Sequence, residues 1–232
     1  MKRFAYLFAG AVLAAAPLQA QVLNFEGVNA TYPSGFAFVN DFYNGGISSD
    51  GTSGTDFGIS FSTNAQAICL NTIGVNCSNT SRGGLGDPNS QRGGLFFLAG
   101  NQTFMNRAAG FTTGFSFFYS ALNTGGSFSV WDGLNGDGNL LATLGLPTNG
   151  GTCPGFNAGF CPFTAAGVGF AGTALSVSFV GAADQIVFDD VTFGSITPGD
   201  PNTVVPEPST VVLMAAGLLG LGAASRRRRS QL

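Results

Sequence analysis

GFSFFYSA, Gly114 to Ala121, decides the fold class. Phe115, Phe117 and Tyr119 fall two residues apart and share one face, the period of a strand with one side in a core. The same spacing returns in SFSVW, where Phe128 and Val130 pair up, and in ALSVSFV, where Leu175, Val177 and Phe179 do. Gly, Asn and Asp clusters bound each run and supply turn geometry. No window of ten or more residues places apolar side chains at helical spacing, so the body is all-β.

Working outward, Ser127 to Leu146 reads SFSVWDGLNGDGNLLATLGL, two alternating runs joined by Gly133, Asn135, Gly136, Asp137 and Gly138. Those residues tolerate positive φ, which predicts a hairpin with Trp131 near the end of its first strand. The connection superficially resembles a calcium loop. Aligned that way, however, its first and twelfth positions are Gly133 and Leu144, neither of which carries a carboxylate, and a plain hairpin is preferred.

The last strand, DQIVFDDVTFGS from Asp184 to Ser195, changes the parity of its inward face, from Ile186 and Phe188 to Val191 and Phe193. A bulge at Asp189-Asp190 restores the register and is expected to turn one aspartate outward. With about eight earlier strand candidates, these residues predict an antiparallel two-sheet β-sandwich, jelly-roll-like, closed by pairing of this last strand with the first, VLNFEGV. The expected domain spans residues 21–195.

Both ends lie outside that domain. Residues 1–20 carry Lys2 and Arg3, an apolar run from Phe4 to Ala16 and a small Ala20 before a cut, the three parts of a secretory signal peptide. Residues 196–205 form a Pro-rich extended spacer. Beyond it stand Pro206-Glu207-Pro208, a short uncharged run over residues 210–225, and Arg226, Arg227, Arg228 and Arg229. Its 14 most apolar residues, Val211 to Ala224, rise about 21 Å as a helix at ~1.5 Å per residue. That is short of the ~30 Å hydrocarbon thickness, and the run reaches only the lower limit of a transmembrane helix when Ser209, Thr210 and Ser225 are added. The arginines after it stay cytoplasmic and stop translocation, so the tail reads as a marginal, temporary anchor.

Residues 21–205 hold three cations, Arg82, Arg92 and Arg107, against eleven carboxylates, a net of −8. Phosphate binding needs Lys and Arg to displace counterions, so nucleic-acid binding is excluded. Four cysteines fall in two local pairs, Cys69 with Cys77 and Cys153 with Cys161. In an exported chain these read as two small disulfide-closed loops, each worth on the order of 2–3 kcal/mol, with proximity alone favouring this pairing among three. Zinc is disfavoured by the spacing and by the absence of histidine.

Pro206-Glu207-Pro208, the apolar run and the terminal arginines resemble the PEP-CTERM sorting signal of Gram-negative bacteria. The resemblance implies export through the Sec translocon, a transient stay in the inner membrane and cleavage by an exosortase, a membrane cysteine protease. The expected destination is the cell surface or extracellular matrix, where many proteins bearing the signal serve exopolysaccharide and biofilm functions. NFEGV, DGLNGDGNLLATL and FDDVTFG are in turn similar to the jelly-roll-like ectodomains common among such proteins.

The absence of histidine removes the usual general base and the Ser-His-Asp and Cys-His arrangements. A hydrolase would have to use paired carboxylates, Glu26 with Asp41 or Asp189 with Asp190, as glycosidases do. The expected function is therefore non-catalytic, with a carbohydrate-active hydrolase as the alternative. Pairing of the first and last strands would bring Glu26 near Asp189 and Asp190, a possible oxygen set for a structural calcium ion; no other cofactor is expected. For glycan binding the candidates are Trp131, Tyr32, Tyr43 and Tyr119, whose planar rings can stack on sugar faces. Most phenylalanines are expected to be core.

Overall fold

A computed structural model describes residues 21–30, 35–70, 89–90, 92–151 and 159–199. Among them the chain forms twelve strands. The first six are β1 (Gln21–Leu23), β2 (Phe36–Phe38), β3 (Ile59–Phe61), β4 (Gln66–Ile68), β5 (Leu95–Phe96) and β6 (Gln102–Phe111). The remainder are β7 (Gly114–Ala121), β8 (Gly126–Trp131), β9 (Leu140–Leu146), β10 (Thr164–Gly169), β11 (Ala174–Val180) and β12 (Ile186–Phe193).

Two antiparallel sheets result. The seven-stranded sheet runs β10-β7-β12-β5-β4-β2 with β1 also on β12, and the five-stranded sheet runs β3-β6-β11-β8-β9. From β5 onward the chain alternates between sheets, apart from the β8–β9 hairpin. The set β10-β7-β12-β5 thereby faces β6-β11-β8-β9, which is the strand order of a jelly roll. Strands β2 and β4 extend one sheet and β3 the other. Closure follows the sequence reading: Gln21 pairs Phe193 and Leu23 pairs Val191.

Aromatic side chains fill the space between the sheets. Phe117 of β7 meets Phe128 of β8 with ring centroids 4.8 Å apart, and Phe179 of β11 meets Phe188 of β12 at 4.8 Å. Phe115, Phe117 and Tyr119 all point into this core, as their spacing requires. One expected core residue is displaced: a bulge between Ala174 and Ser176 puts Ala174 inside, and Leu175 is only half-buried. Arg107 interrupts the inward face of β6. Its guanidinium donates to the Gly110 carbonyl at 2.9 Å and lies 4.7 Å over the Phe193 ring, and burial pulls its pKa down.

The bulge foreseen in β12 is present. Pairing with β7 shifts register between Asp189 and Thr192, and Asp190 takes a left-handed φ of 46°. The expectation that an aspartate turns to solvent is corrected, because both are fully buried. All of β12 is covered on its second face as well as its first. There Val187 joins Ile68, Leu70, Phe96, Leu122 and Phe160 in a smaller apolar cluster.

Cys69 and Cys161 are buried next to members of that cluster, and neither is a free thiol. Their expected partners, Cys77 and Cys153, lie outside the described residues. So do the signal peptide, Tyr32 and everything from residue 200 onward, including the run 210–225. Among the described residues no helix is long and apolar enough to cross a membrane.

Candidate functional site

The carboxylates that the sequence singled out divide into two places. Asp189 and Asp190 sit in the β12 bulge, where the Asp190 backbone N–H donates to Asp189 Oδ1 at 2.7 Å. The Ser90 hydroxyl contacts both carboxylates, at 2.8 Å from Asp190 Oδ1 and 3.3 Å from Asp189 Oδ2. Glu26 instead accepts the backbone N–H groups of Arg92 at 2.7 Å and Gly93 at 3.3 Å through Oε1. The three therefore hold Ser90 on one side and Arg92 and Gly93 on the other. Among the described residues no three His, Cys, Asp or Glu form a group that could hold a metal ion.

Glu26 also lines a cleft of about 370 Å³, the site that sequence reasoning missed. One wall is the chain leaving β1. Leu23 is buried, Phe25 adopts a left-handed φ of 53°, and its backbone N–H donates to the Tyr43 hydroxyl at 2.9 Å. The other wall is the long connection from β2 to β3. Gly54 N–H donates to the Phe42 carbonyl and Phe57 N–H to the Tyr43 carbonyl, folding that connection back on itself. Gly54 is required here, since a Cβ would collide with the Phe42 ring.

Aromatic side chains underlie the cleft: Phe42 and Tyr43 are buried in the core, and Phe57 is half-buried. Tyr43 lies edge-on to Phe42 at 4.8 Å and stacks with Phe57 at 6.1 Å. Polar groups stand around it: Asn24, Glu26, Ser53 and Thr55. Asn24 Oδ1 accepts the Glu26 N–H at 3.2 Å, which leaves its amide donor for a ligand. Within the described residues Ser53 and Thr55 spend no side-chain hydrogen bond on the protein. Donors and acceptors over an apolar floor are the makings of a site for a polar, uncharged molecule.

The other expected aromatics fare differently. Tyr119 is core, with its hydroxyl donating to the Pro147 carbonyl at 3.2 Å and its pKa raised by burial. Trp131 is half-buried on the outer face of the five-stranded sheet, its Nε1–H donating to the Ser178 hydroxyl at 3.2 Å. It is not among the residues lining the cleft.

Beside Trp131 the hairpin connection does more than turn. Its 3-10 turn, Leu134–Gly136, lies over the sheet, where Asn106 and Asn135 exchange hydrogen bonds of 2.7 and 2.8 Å. Ser176 Oγ accepts from Gly136 N–H at 3.0 Å and donates to the Gly133 carbonyl at 2.6 Å.

The tail decides the address of the protein. Residues 204–229 match the PEP-CTERM protein-sorting motif. A chain carrying this motif is exported, held in the membrane and then processed by an exosortase. No curated protein matches the chain. Two solved structures share a similarity with the body. One is a family 6 carbohydrate-binding module studied by binding sub-site dissection, 18% identical, with a TM-score of 0.34, covering 58% of this chain and 86% of that one. The other is a carbohydrate-binding module from Cellvibrio mixtus lichenase 5A in complex with cellotriose, 11% identical, with a TM-score of 0.34, covering 57% and 88%. At that TM-score neither assigns a ligand or a residue role to this chain.

Proposed function

We propose that this is a non-catalytic extracellular protein, delivered by its PEP-CTERM tail to the cell surface or matrix, whose jelly-roll body binds polysaccharide there. The cleft between β1 and the β2–β3 connection carries this reading: half-buried Phe57 offers it an aromatic surface backed by the core residues Phe42 and Tyr43, and its rim offers one amide, two hydroxyls and one carboxylate. Sugars ask for that combination, since their ring faces are apolar and their edges carry hydroxyls. Export through the Sec translocon and a passing stay in the inner membrane belong to the same proposal, as does a role in exopolysaccharide or biofilm. Two closed loops, Cys69–Cys77 and Cys153–Cys161, would suit a body working in an oxidising compartment.

The residues present support a non-catalytic role. The chain has no histidine, Asp189 and Asp190 are fully buried, and Asp41 is not among the residues that line the cleft with Glu26. Calcium at Glu26, Asp189 and Asp190, which do not gather into one metal-holding group among the described residues, is a separate proposal with its own test. A bound ion at about 100 times its Kd adds ~2.7 kcal/mol, so chelation should lower the Tm of the purified body by several degrees and calcium should restore it. An unchanged transition removes the ion.

Polysaccharide pull-down tests the main reading. The wild-type body should be retained, and the double variant Ser53→Ala/Thr55→Ala, at exposed positions, should be released with its Tm unchanged. If Trp131→Ala is released while the double variant is retained, binding moves to the outer face of the five-stranded sheet. Absence of wild-type retention across a broad panel would defeat the proposal.

A further inference from the structure

From the cleft's charge we infer its ligand class: an uncharged polysaccharide, with polyuronates and other anionic polymers rejected at Glu26. This inference rests on the glycan-binding reading and narrows it. Glu26 is the only charged residue among the described residues lining the cleft. Its Oε1 is committed to the Arg92 and Gly93 N–H groups, which fixes the carboxylate in place while Oε2 makes no hydrogen bond within the described residues. A carboxylate accepts hydrogen bonds and donates none, so what meets it must bring a donor. A sugar hydroxyl does; a uronate or sulfate oxygen brings a second negative charge instead.

Among the described residues that line the cleft, no cation offsets that charge. The other polar lining groups, Asn24, Ser53 and Thr55, are neutral, and Arg92 reaches Glu26 through its backbone rather than as a lining side chain. The body as a whole adds long-range repulsion of the same sign, with three cations against eleven carboxylates over residues 21–205. Two layers of discrimination result. The long-range one is screened by salt, with a Debye length of about 8 Å at 0.15 M; direct contact at Glu26 is screened less.

Affinity electrophoresis in gels cast with a neutral glucan, a neutral xylan or polygalacturonate tests the inference. Wild type should be retarded by at least one neutral polymer, equally at low and high salt, and only weakly, though measurably, by polygalacturonate at 0.5 M NaCl. Glu26→Gln keeps an acceptor oxygen for the two N–H groups and removes the charge. It should raise the ratio of polygalacturonate to neutral affinity about fivefold, the size of one exposed charge contact. Asp137→Asn changes net charge equally in the distant hairpin and should leave that ratio at the wild-type value. Retardation of wild type by polygalacturonate as strong as by the neutral polymers would overturn the inference while leaving glycan binding intact. Equal ratios for Glu26→Gln and Asp137→Asn would overturn the role of Glu26. Retardation by no polymer would instead defeat the glycan reading itself.

Discussion

Ser90 and Asp190, one hundred residues apart in the chain, meet in a buried hydrogen bond of 2.8 Å between the serine hydroxyl and Asp190 Oδ1. That contact ties the segment before β5 to the bulge of the closing strand. It is one of the hydrogen bonds that replace water around two adjacent buried carboxylates, as burial of a charge requires.

Ser90→Ala should therefore destabilise the body by about 1–3 kcal/mol, the cost of withdrawing a donor from a buried acceptor. Urea unfolding monitored by tryptophan fluorescence would read it as a lower midpoint at constant slope. A change below ~0.5 kcal/mol would mean the aspartates do not depend on this hydroxyl.

Phe117 touches Phe115, Tyr119, Phe128, Phe179 and Phe188 across both sheets. Truncation to alanine should cost about 3–5 kcal/mol, among the largest losses available in this core. Phe118, its half-buried neighbour on the opposite face of β7, should cost less on the same change. Equal losses at the two positions would contradict the assigned faces.

The hairpin connection is expected to come off the sheet when its pins are removed. Gly136 holds a φ of 75°, and a Cβ there would stand 2.5 Å from the Phe104 ring. Gly136→Ala should speed hydrogen exchange at Gly136 N–H, now bonded to Ser176, while leaving the β11–β8 amides protected. Slow exchange at that amide in the variant would show that the connection is held by something else.

At the base of the same connection, Asp132 accepts the Asn139 side-chain N–H at 2.9 Å and its backbone N–H at 2.6 Å. The side-chain bond and then the backbone bond hold the Asp132 carboxyl below the usual carboxylate range. With the folded pKa depressed, the stabilising contribution is complete above the unfolded value near 4 and is lost as pH falls through the lowered one. Carboxyl NMR titration should place Asp132 below the ordinary aspartate value, and Asn139 N–H protection should fall in step with it. Titration of Asp132 at or above the ordinary aspartate value would refute this.

Much of the architecture was legible because the alternating runs are long. GFSFFYSA, SFSVW and ALSVSFV became β7, β8 and β11, and the parity change across Asp189-Asp190 marked a real bulge. Strands β2 to β5 are two or three residues long, too short to show any period, and β4 is buried throughout. In β6 the inward Arg107 breaks the apolar alternation that would have revealed the longest strand.

The site was harder to read. Asp189 and Asp190 are buried against Ser90, about a hundred residues away in sequence, a contact that no local pattern encodes. The cleft is assembled from two connections rich in Gly, Ser and Asn, where side-chain spacing carries no signal. Glu26 and Tyr43 were singled out from sequence, but Ser53, Thr55 and Phe57 became visible only through the fold of that connection.

Intact mass of the mature protein recovered from producing cells tests most directly whether this is a processed extracellular body. The expected mass lacks the signal peptide and the segment beyond the Pro206-Glu207-Pro208 motif, and it is four hydrogens lighter than the reduced chain if both local cysteine pairs are closed. A mass that still includes Arg226–Arg229 and Leu232 would contradict this and make the chain a permanently tethered protein.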